Sequence, residues 1–347
     1  MKSENIDNLI EFKNDDHTAK EVVIAFDTSN YTSSVAVLNM DGNLISDCRR
    51  LLAVKDGERG LRQSEALFQH IKNLPELLEE AMKRAGHFKV LAVAASNRPR
   101  PVENSYMPVF LAGEGLARSL AASHGVPLTL FSHQEGHIAA ARMGNEDLAE
   151  KDESGLAFHI SGGTSEILLT KGNFPISTVG GTKDISFGQL LDRVGVAFGM
   201  KFPAGAEMDN IAETYKSEFK YSYSRSGKIV PEDSILPNIK TDGSFVSLSG
   251  IETAAQRLID SDVNREKLIT ELFFRVAEVI ENMIKAAAED SGADNVILAG
   301  GVTASRFLQN YLSEHMSNSS VKLRFSNPKY SVDNAVGIAI LARQSIC

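Results

Sequence analysis

The sequence is short of cysteine, of long apolar runs and of basic charge, and each shortfall removes a class of protein. Cys48 and Cys347 are its only cysteines and stand far apart in 347 residues. They supply neither a disulfide framework nor a cysteine-based metal site, which points to a reducing cytoplasm. No stretch approaches the ~20 apolar residues of a transmembrane helix, so no membrane role is expected. The first twenty residues, MKSENIDNLIEFKNDDHTAK, have neither the basic start nor the apolar run of a signal peptide and read as a polar tail. A net charge of −9 argues against broad nucleic-acid binding driven by charge alone. A local basic surface stays open: Arg49, Arg50, Lys55, Arg59 and Arg62 share one segment, and Arg98 and Arg100 another. A solvated face is the simpler account of both clusters, with an RNA contact as the alternative.

What is present has an order. The length favours two domains. From Glu21, EVVIAF, SSVAVLN and LISDCRRL are three β runs joined by short turns, a meander. Leu67, Ile71, Leu74, Leu77, Leu78 and Met82 recur at helical spacing across Gln63 to Arg84. The strand KVLAVAAS, a helix around Val109 to Ala122 and the strand PLTLF follow. The same order then restarts with GLAFHISG, EILLT and FPISTV, and a helix over Ile185 to Phe198. Long helices across Glu252 to Ser291 come next, then the strand NVILAG, a helix at Ala304 to Leu312, the strand VKLRF and a last helix from Asp333. Two successive β-β-β-α-β-α units predict an α/β protein made by internal duplication, with one ligand cleft between the halves. The expected division is a tail over 1–20, a first lobe over 21–150 to which 326–347 return, and a second lobe over 151–325. Glu213 to Asn238 is polar and turn-rich and reads as an inserted loop.

Three strand-to-loop junctions carry small residues: Asp27-Thr28-Ser29, Ser161-Gly162-Gly163-Thr164 and Gly300-Gly301-Val302-Thr303. Small residues let backbone N–H groups approach phosphate oxygens, and threonine hydroxyls add donors. Glycine also ends strands for steric reasons alone.

The sharpest chemistry lies in FSHQEGHIAAARM. Ser132 with Glu135 three residues on is a capping box, which starts a helix at Ser132. His133 and His137 then lie one turn apart on one face, where two neutral imidazoles can chelate a divalent ion. The spacing alone suits two unrelated helix-start histidines equally well. Glu135 sits two places after the first histidine, so the pattern is not HExxH and no zincin-type protease is indicated. A carboxylate is needed to complete a site. Asp333 in YSVDNAVGIAILA can serve, and it can also be a plain N-cap of the last helix.

These segments carry a family resemblance. SHQEGHIAAA, HISGGTSEILL, SFGQLLDRVGVAFGMKFPAGAEMDNIA, VSLSGIET, ILAGGVTASRFL and SVDNAVGIAI stand in the order and near the spacing of the TsaD-type tRNA threonylcarbamoyladenosine synthases, formerly described as M22-type glycoproteases. The resemblance runs from about Val22 to Ala342. It implies the ASKHA fold of actin, Hsp70 and sugar kinases, with two duplicated RNase H-like lobes. The implied activity is transfer of threonylcarbamoyl from an adenylate donor to N6 of adenosine 37 in tRNA. It also implies one divalent metal, iron or zinc, on His133, His137 and Asp333. The nucleotide or adenylate would lie against His159, Ile160, Ser161, Gly162 and Gly163, with Asp192 at the ribose, Gly205 in the following turn and Ser305 nearby. Read without the family, Asp192 is equally an exposed helix charge paired with Arg193. Partners implied are tRNA and the proteins of a tRNA-modification complex, including a heterodimer with a smaller paralogue. No Ser/His/Asp or Cys/His arrangement is present, and amine attack on a mixed anhydride requires none, only orientation and charge stabilisation. No catalytic side chain is therefore assigned.

The sequence departs from the family pattern at five places. Asn30, Tyr31 and Thr32 replace an acidic pair; Thr164 stands for a histidine in SGGHT; Asn97-Arg98-Pro99-Arg100-Pro101 replaces a GPG turn; Glu252 replaces a lysine; Ser305 replaces an asparagine. Two alternatives to the family's usual reaction follow: a carbamoyl-type transferase with another acceptor, or a non-catalytic paralogue that scaffolds a modification complex.

Overall fold

Every residue from Val22 to Thr28 is buried in the first strand, the mark of a central strand covered on both faces. This computed structural model describes residues 19–29, 31–54, 61–143, 154–172, 174–223, 229–331 and 333–347. The chain forms two compact units, one ending at Gly136 and rejoined by Asp333–Cys347, the other His137–Val332. The 1–20 tail lies almost wholly outside the described residues, as does the lobe boundary expected at 150/151.

In the first unit β1 (Lys20–Thr28), β2 (Thr32–Asn39) and β3 (Leu44–Leu51) form an antiparallel meander. Helix α1 (Gln63–Ala85) leads to β4 (Phe88–Arg98), parallel to β1, and α2 (Phe110–His124) to β5 (Leu128–Ser132), parallel to β4. The sheet order is β3-β2-β1-β4-β5. Val22, Ile24 and Phe26 join Leu74, Leu77 and Ala117 in the core under α1 and α2. Side chains alternate along a strand, so Val23 and Ala25, also fully buried, face the other side. The last helix of the chain packs against β1, β2 and β4 there.

Helix α3 (His133–Ala141) follows β5 directly. The second unit then sets out β6 (Ser154–Ile160), β7 (Ser165–Lys171) and β8 (Phe174–Thr182), again antiparallel, followed by α4 (Phe187–Ala197) and α5 (Gly205–Tyr215). The segment read as an inserted loop holds a short hairpin, β9 (Tyr221–Tyr223) and β10 (Ile229–Pro231). The buried Glu271 carboxylate anchors its exit by accepting from Ser234 Oγ and the Ile235 and Leu236 amides. Strands β11 (Thr241–Asp242) and β12 (Phe245–Val246) extend the edge of the sheet. The helical stretch expected across Glu252 to Ser291 is two helices, α6 (Ser249–Asp260) and α7 (Arg265–Ser291). Asp262 at φ +58° breaks it, and the Asn264 side chain caps α7 by accepting from the Lys267 amide. Strand β13 (Asn295–Ala299), a 3-10 turn (Gly301–Ala304), α8 (Arg306–His315), β14 (Lys322–Phe325) and α9 (Pro328–Ser331) close the unit, in the order β11-β12-β8-β7-β6-β13-β14. The last helix, α10 (Val336–Ile346), begins three residues later than expected, so Asp333 precedes it instead of capping it. Among the described residues no helix is long and apolar enough to cross a membrane.

One glycine fixes how β13 leaves the sheet. Gly300 has φ +98°, and a Cβ there would lie 2.4 Å from the Ile160 carbonyl oxygen. Gly300→Ala is expected to cost on the order of 3 kcal/mol, from a left-handed backbone and a clash that backbone alone can relieve. A lower denaturation midpoint checks this; an unchanged midpoint contradicts it.

Candidate functional site

Helix α3 starts where β5 stops because Ser132 and Glu135 satisfy each other's amides. Glu135 N–H donates to Ser132 Oγ at 3.2 Å, and Ser132 N–H to Glu135 Oε2 at 2.6 Å. The Gln134 amide donates to Pro99 O, and Arg98 lies 3.8 Å from Glu135, which ties the Asn97–Pro101 turn to the same helix start. Gly136 lets α3 lie close on α10: a Cβ there would meet Ile338 Cδ1 at 2.8 Å. That approach brings Asp333, just ahead of α10, to His133. The Ala335 amide, donating to Ser34 Oγ at 2.8 Å, pins the same turn to β2.

His133 is held from both sides. Its Nδ1 lies 3.0 Å from both oxygens of Asp27 and its Nε2 lies 3.3 Å from Asp333 Oδ1. Asp333 is itself oriented by Ser29 Oγ, which donates to Oδ2 at 2.6 Å. His137 follows one turn later; the boundary between the units falls inside α3, so the helix itself sets its distance from His133. One ligand atom from each of His133, His137 and Asp333 lies within 4.8 Å of the others. The His137 ring also stacks on His159, centroids 4.8 Å apart.

The donor set fits a divalent ion. Ligand atoms about 2.1 Å from a common ion at tetrahedral or octahedral angles lie roughly 3.0–3.4 Å apart, and the His133 Nε2–Asp333 spacing falls in that range. Two imidazoles and one carboxylate leave coordination positions open, as in hydrolytic zinc sites and two-histidine–carboxylate iron sites. Asp27 completes the logic: by accepting from Nδ1–H it fixes the tautomer and leaves Nε2 for the ion. Without an ion, burial pulls the His133 pKa down, but the charge and hydrogen bond of Asp27, joined by Asp333, raise it well above its ordinary value. A bound cation takes the place of the Nε2 proton.

The remaining sites expected from the sequence divide. At the first junction Asp27, Thr28 and Ser29 are buried and already engaged: Thr28 Oγ1 donates to Val109 O at 3.0 Å, and its neighbours serve the metal ligands. Asp27 and Ser29 of this junction are spent on His133 and Asp333 of the candidate metal centre. At the third, Thr303 turns its hydroxyl back onto Gly300 O. Gly301 in that junction is exposed, and Ser161–Thr164 presents two exposed glycines in succession. Gly162 and Gly163 are exposed, with nothing within 4 Å of where a Cβ on either would lie, while Ser161 Oγ accepts from the amides of Gly163 and Thr164. That turn sits on the N-terminus of α4, since Ser186 Oγ donates to Gly162 O and a Cβ on Gly188 would meet Gly162 Cα at 2.6 Å. Ile160 is a core residue of β6, and His159, on the opposite side of the strand, faces His137. Asp192 is not paired with Arg193. Its carboxylate accepts from the Ala204 amide at 2.8 Å and from that of Gly205, holding the start of α5, and burial raises its pKa. Arg193 instead pairs with Glu252 at 3.0 Å. Ser305 caps α8 by accepting from the Leu308 amide and donates to Asp209, which also accepts from the Arg306 and Phe307 amides. In the basic segment Arg49 pairs with Asp47 and Arg50 with Glu76, as a solvated face would; Lys55 and Arg59, like Asn30, lie outside the described residues.

In the sequence, Asp27 and Ser29 read as part of a phosphate junction and not as partners of His133 and Asp333, and Asp209 is not singled out. The one local signal for the first is a carboxylate ending a fully apolar strand.

Residues 57–340 match a family model described as TsaD, tRNA N6-adenosine threonylcarbamoyltransferase. A protein of that name from Prochlorococcus marinus (strain MIT 9313) is 27% identical over 336 residues, covering 93% of this chain and 90% of its own. Among solved structures, full-length HypF in its phosphate- and nucleotide-bound form superposes with a TM-score of 0.58 at 14% identity. The match takes in 94% of this chain and 47% of HypF, so the chain spans about half of that protein. The Acidaminococcus fermentans (R)-2-hydroxyglutaryl-CoA dehydratase component A gives a TM-score of 0.50 at 12% identity, over 93% of this chain and 98% of its own. The fold is ASKHA-type.

In the metal-free chain His133 is expected to titrate above its ordinary 6.5. The folded value exceeds the unfolded one, so the stability this contact contributes is complete below about pH 6.5 and is lost as pH rises through the folded value. Asp27→Asn is expected to move the titration down, as followed by the imidazole proton resonances in an NMR pH series. An unmoved titration contradicts the pairing.

Proposed function

The chain belongs to the TsaD family of tRNA N6-adenosine threonylcarbamoyltransferases, and on that premise we propose that it transfers threonylcarbamoyl from threonylcarbamoyl-adenylate to adenosine 37 of tRNA. The observation that carries the reading is the convergence of His133, His137 and Asp333, backed by the buried Asp27 carboxylate at Nδ1 of His133. These three residues hold one divalent ion, iron or zinc. When bound, the ion supplies charge stabilisation to the donor's carbonyl or phosphate oxygen. The amides of Ser161, Gly162 and Gly163 approach the adenylate phosphate. Asp192 positions Gly205 at the nucleotide, and Ser305, held by Asp209, fixes the start of α8 beside the Gly300–Gly301 turn. Orientation does the remaining work, since the attacking adenosine amine needs no side-chain nucleophile. The reaction takes place in the cytoplasm with tRNA and the proteins of a modification complex, including a smaller paralogue as heterodimer partner.

A second reading has one observation behind it. Glu252, where the resemblance expects lysine, is engaged with Arg193, and Thr164 stands where it expects histidine. A retained metal triad beside a partly rewritten substrate cleft fits a carbamoyl-type transferase acting on another acceptor. The scaffold reading is disfavoured by the retained triad, because a scaffold has no use for ligands.

Two measurements separate these readings. In cells depleted of their standard synthase, expression of this chain is expected to restore threonylcarbamoyladenosine in bulk tRNA by mass spectrometry. A soluble, metal-loaded protein that restores none leaves the second reading. His137→Ala is expected to lower metal content and activity by on the order of 100-fold. A purified chain with no bound metal, unchanged by His137→Ala, leaves the scaffold.

A further inference from the structure

Behind the metal ligands lies a fully buried histidine that the reaction does not use. His70, on α1, is 0% exposed. Its Nε2 lies 2.6 Å from the Ser29 carbonyl oxygen, and its Nδ1 lies 2.8 Å from Ser33 Oγ. A carbonyl only accepts, so Nε2 must carry the proton. Burial lowers the pKa of this ring, which keeps it neutral; Nδ1 is then an acceptor and Ser33 Oγ–H its donor. Asn73 Nδ2 donates in turn to Ser33 Oγ at 3.2 Å. Every proton along the line has one direction: Asn73 to Ser33, Ser33 to His70, His70 to the Ser29 carbonyl.

Ser29 is where this line meets the candidate metal centre, because its hydroxyl donates to Asp333 Oδ2 at 2.6 Å. Asp333 Oδ1, the other oxygen, faces His133 Nε2. The carboxylate therefore has one oxygen tethered to β1 and one turned toward the ligand position. The Ser29 backbone stands at the open end of β1, after the last ladder pair Thr28–Ser33, and His70 restrains it there.

We propose that His70 is a positioning residue for the metal ligand Asp333, acting through Ser29: by holding the Ser29 carbonyl it aims the Ser29 hydroxyl, and so turns one carboxylate oxygen of Asp333 toward the ion. The inference rests on the metal reading above and extends it to α1, an element that contributes no ligand. Partners of this kind typically change metal affinity by about 10- to 100-fold when removed.

The test is titration of the full chain with Co(II) alone, followed by the visible absorption band of the bound ion and by calorimetry. His70→Leu fills the space without either hydrogen bond and is expected to weaken Co(II) binding by about tenfold and to shift the band. His70→Gln, whose amide reaches the Ser29 carbonyl, is expected to bring both back toward the unaltered chain. Ser29→Ala leaves the buried imidazole in place and removes the hydroxyl on Asp333; it is expected to show the same weakening and band shift, and it decides the matter if His70→Leu does not fold. Unaltered affinity and an identical band in Ser29→Ala, or in a folded His70→Leu, overturn the inference, as does a His70→Gln chain that behaves like His70→Leu. Absence of Co(II) binding by the unaltered chain overturns the metal reading itself, and this inference with it.

Discussion

The candidate centre depends on one imidazole held between two carboxylates. His133 is the first residue of its helix, and it has Asp27 at one ring nitrogen and Asp333 at the other. Two carboxylates around one base, Asp27 fully buried and Asp333 half-buried, are unfavourable unless a positive charge sits among them. The fold provides two ways to supply that charge: a proton on the ring, or a cation beyond it. The rest of the local architecture fixes these three groups in place. The capping box sets the helix start, Gly136 admits α10, Ser34 pins the turn before α10, and Ser29 rotates the carboxylate.

The polar groups near the second sheet are arranged on a similar plan, with acids used to hold helix starts. Asp192 takes the first amides of α5, Asp209 those of α8, and Asp184 those of α6 through the Leu248 and Ser249 amides. Each places a negative charge where the helix dipole favours one. The effect is to fix the starts of three helices, while Gly162 and Gly163 stay exposed.

Much of the fold was legible in the sequence because its signals are local. The meander, the helical spacing from Gln63 and the restart at GLAFHISG each depend on neighbours within a dozen residues, and the structure has all three. The capping box at Ser132 was legible for the same reason. The partners of His133 were not. Ser29 and Asp333 meet across 304 residues, and nothing near either announces the other; Asp333 is one candidate carboxylate until the family resemblance singles it out, and Asp27 reads as part of a phosphate junction, not as a partner of His133. Adjacent charges misled at Asp192, since neighbours on a helix point to different sides and Arg193 turns to Glu252. The break between α6 and α7 was hidden because both helices keep the same apolar period on either side of Asp262.

The first unit is interrupted in sequence by the whole of the second, His137–Val332. Drawing its two pieces together across an unfolded span of that length costs about 5 kcal/mol in chain entropy. Once the inserted segment has folded, that entropy has already been surrendered, and Asp333 arrives at His133 as part of an assembled whole. The meeting of His133 and Asp333 is thereby thermodynamically linked to the integrity of the segment that separates them in sequence. The closeness of two residues 200 positions apart in sequence therefore reports on the folding of the segment between them.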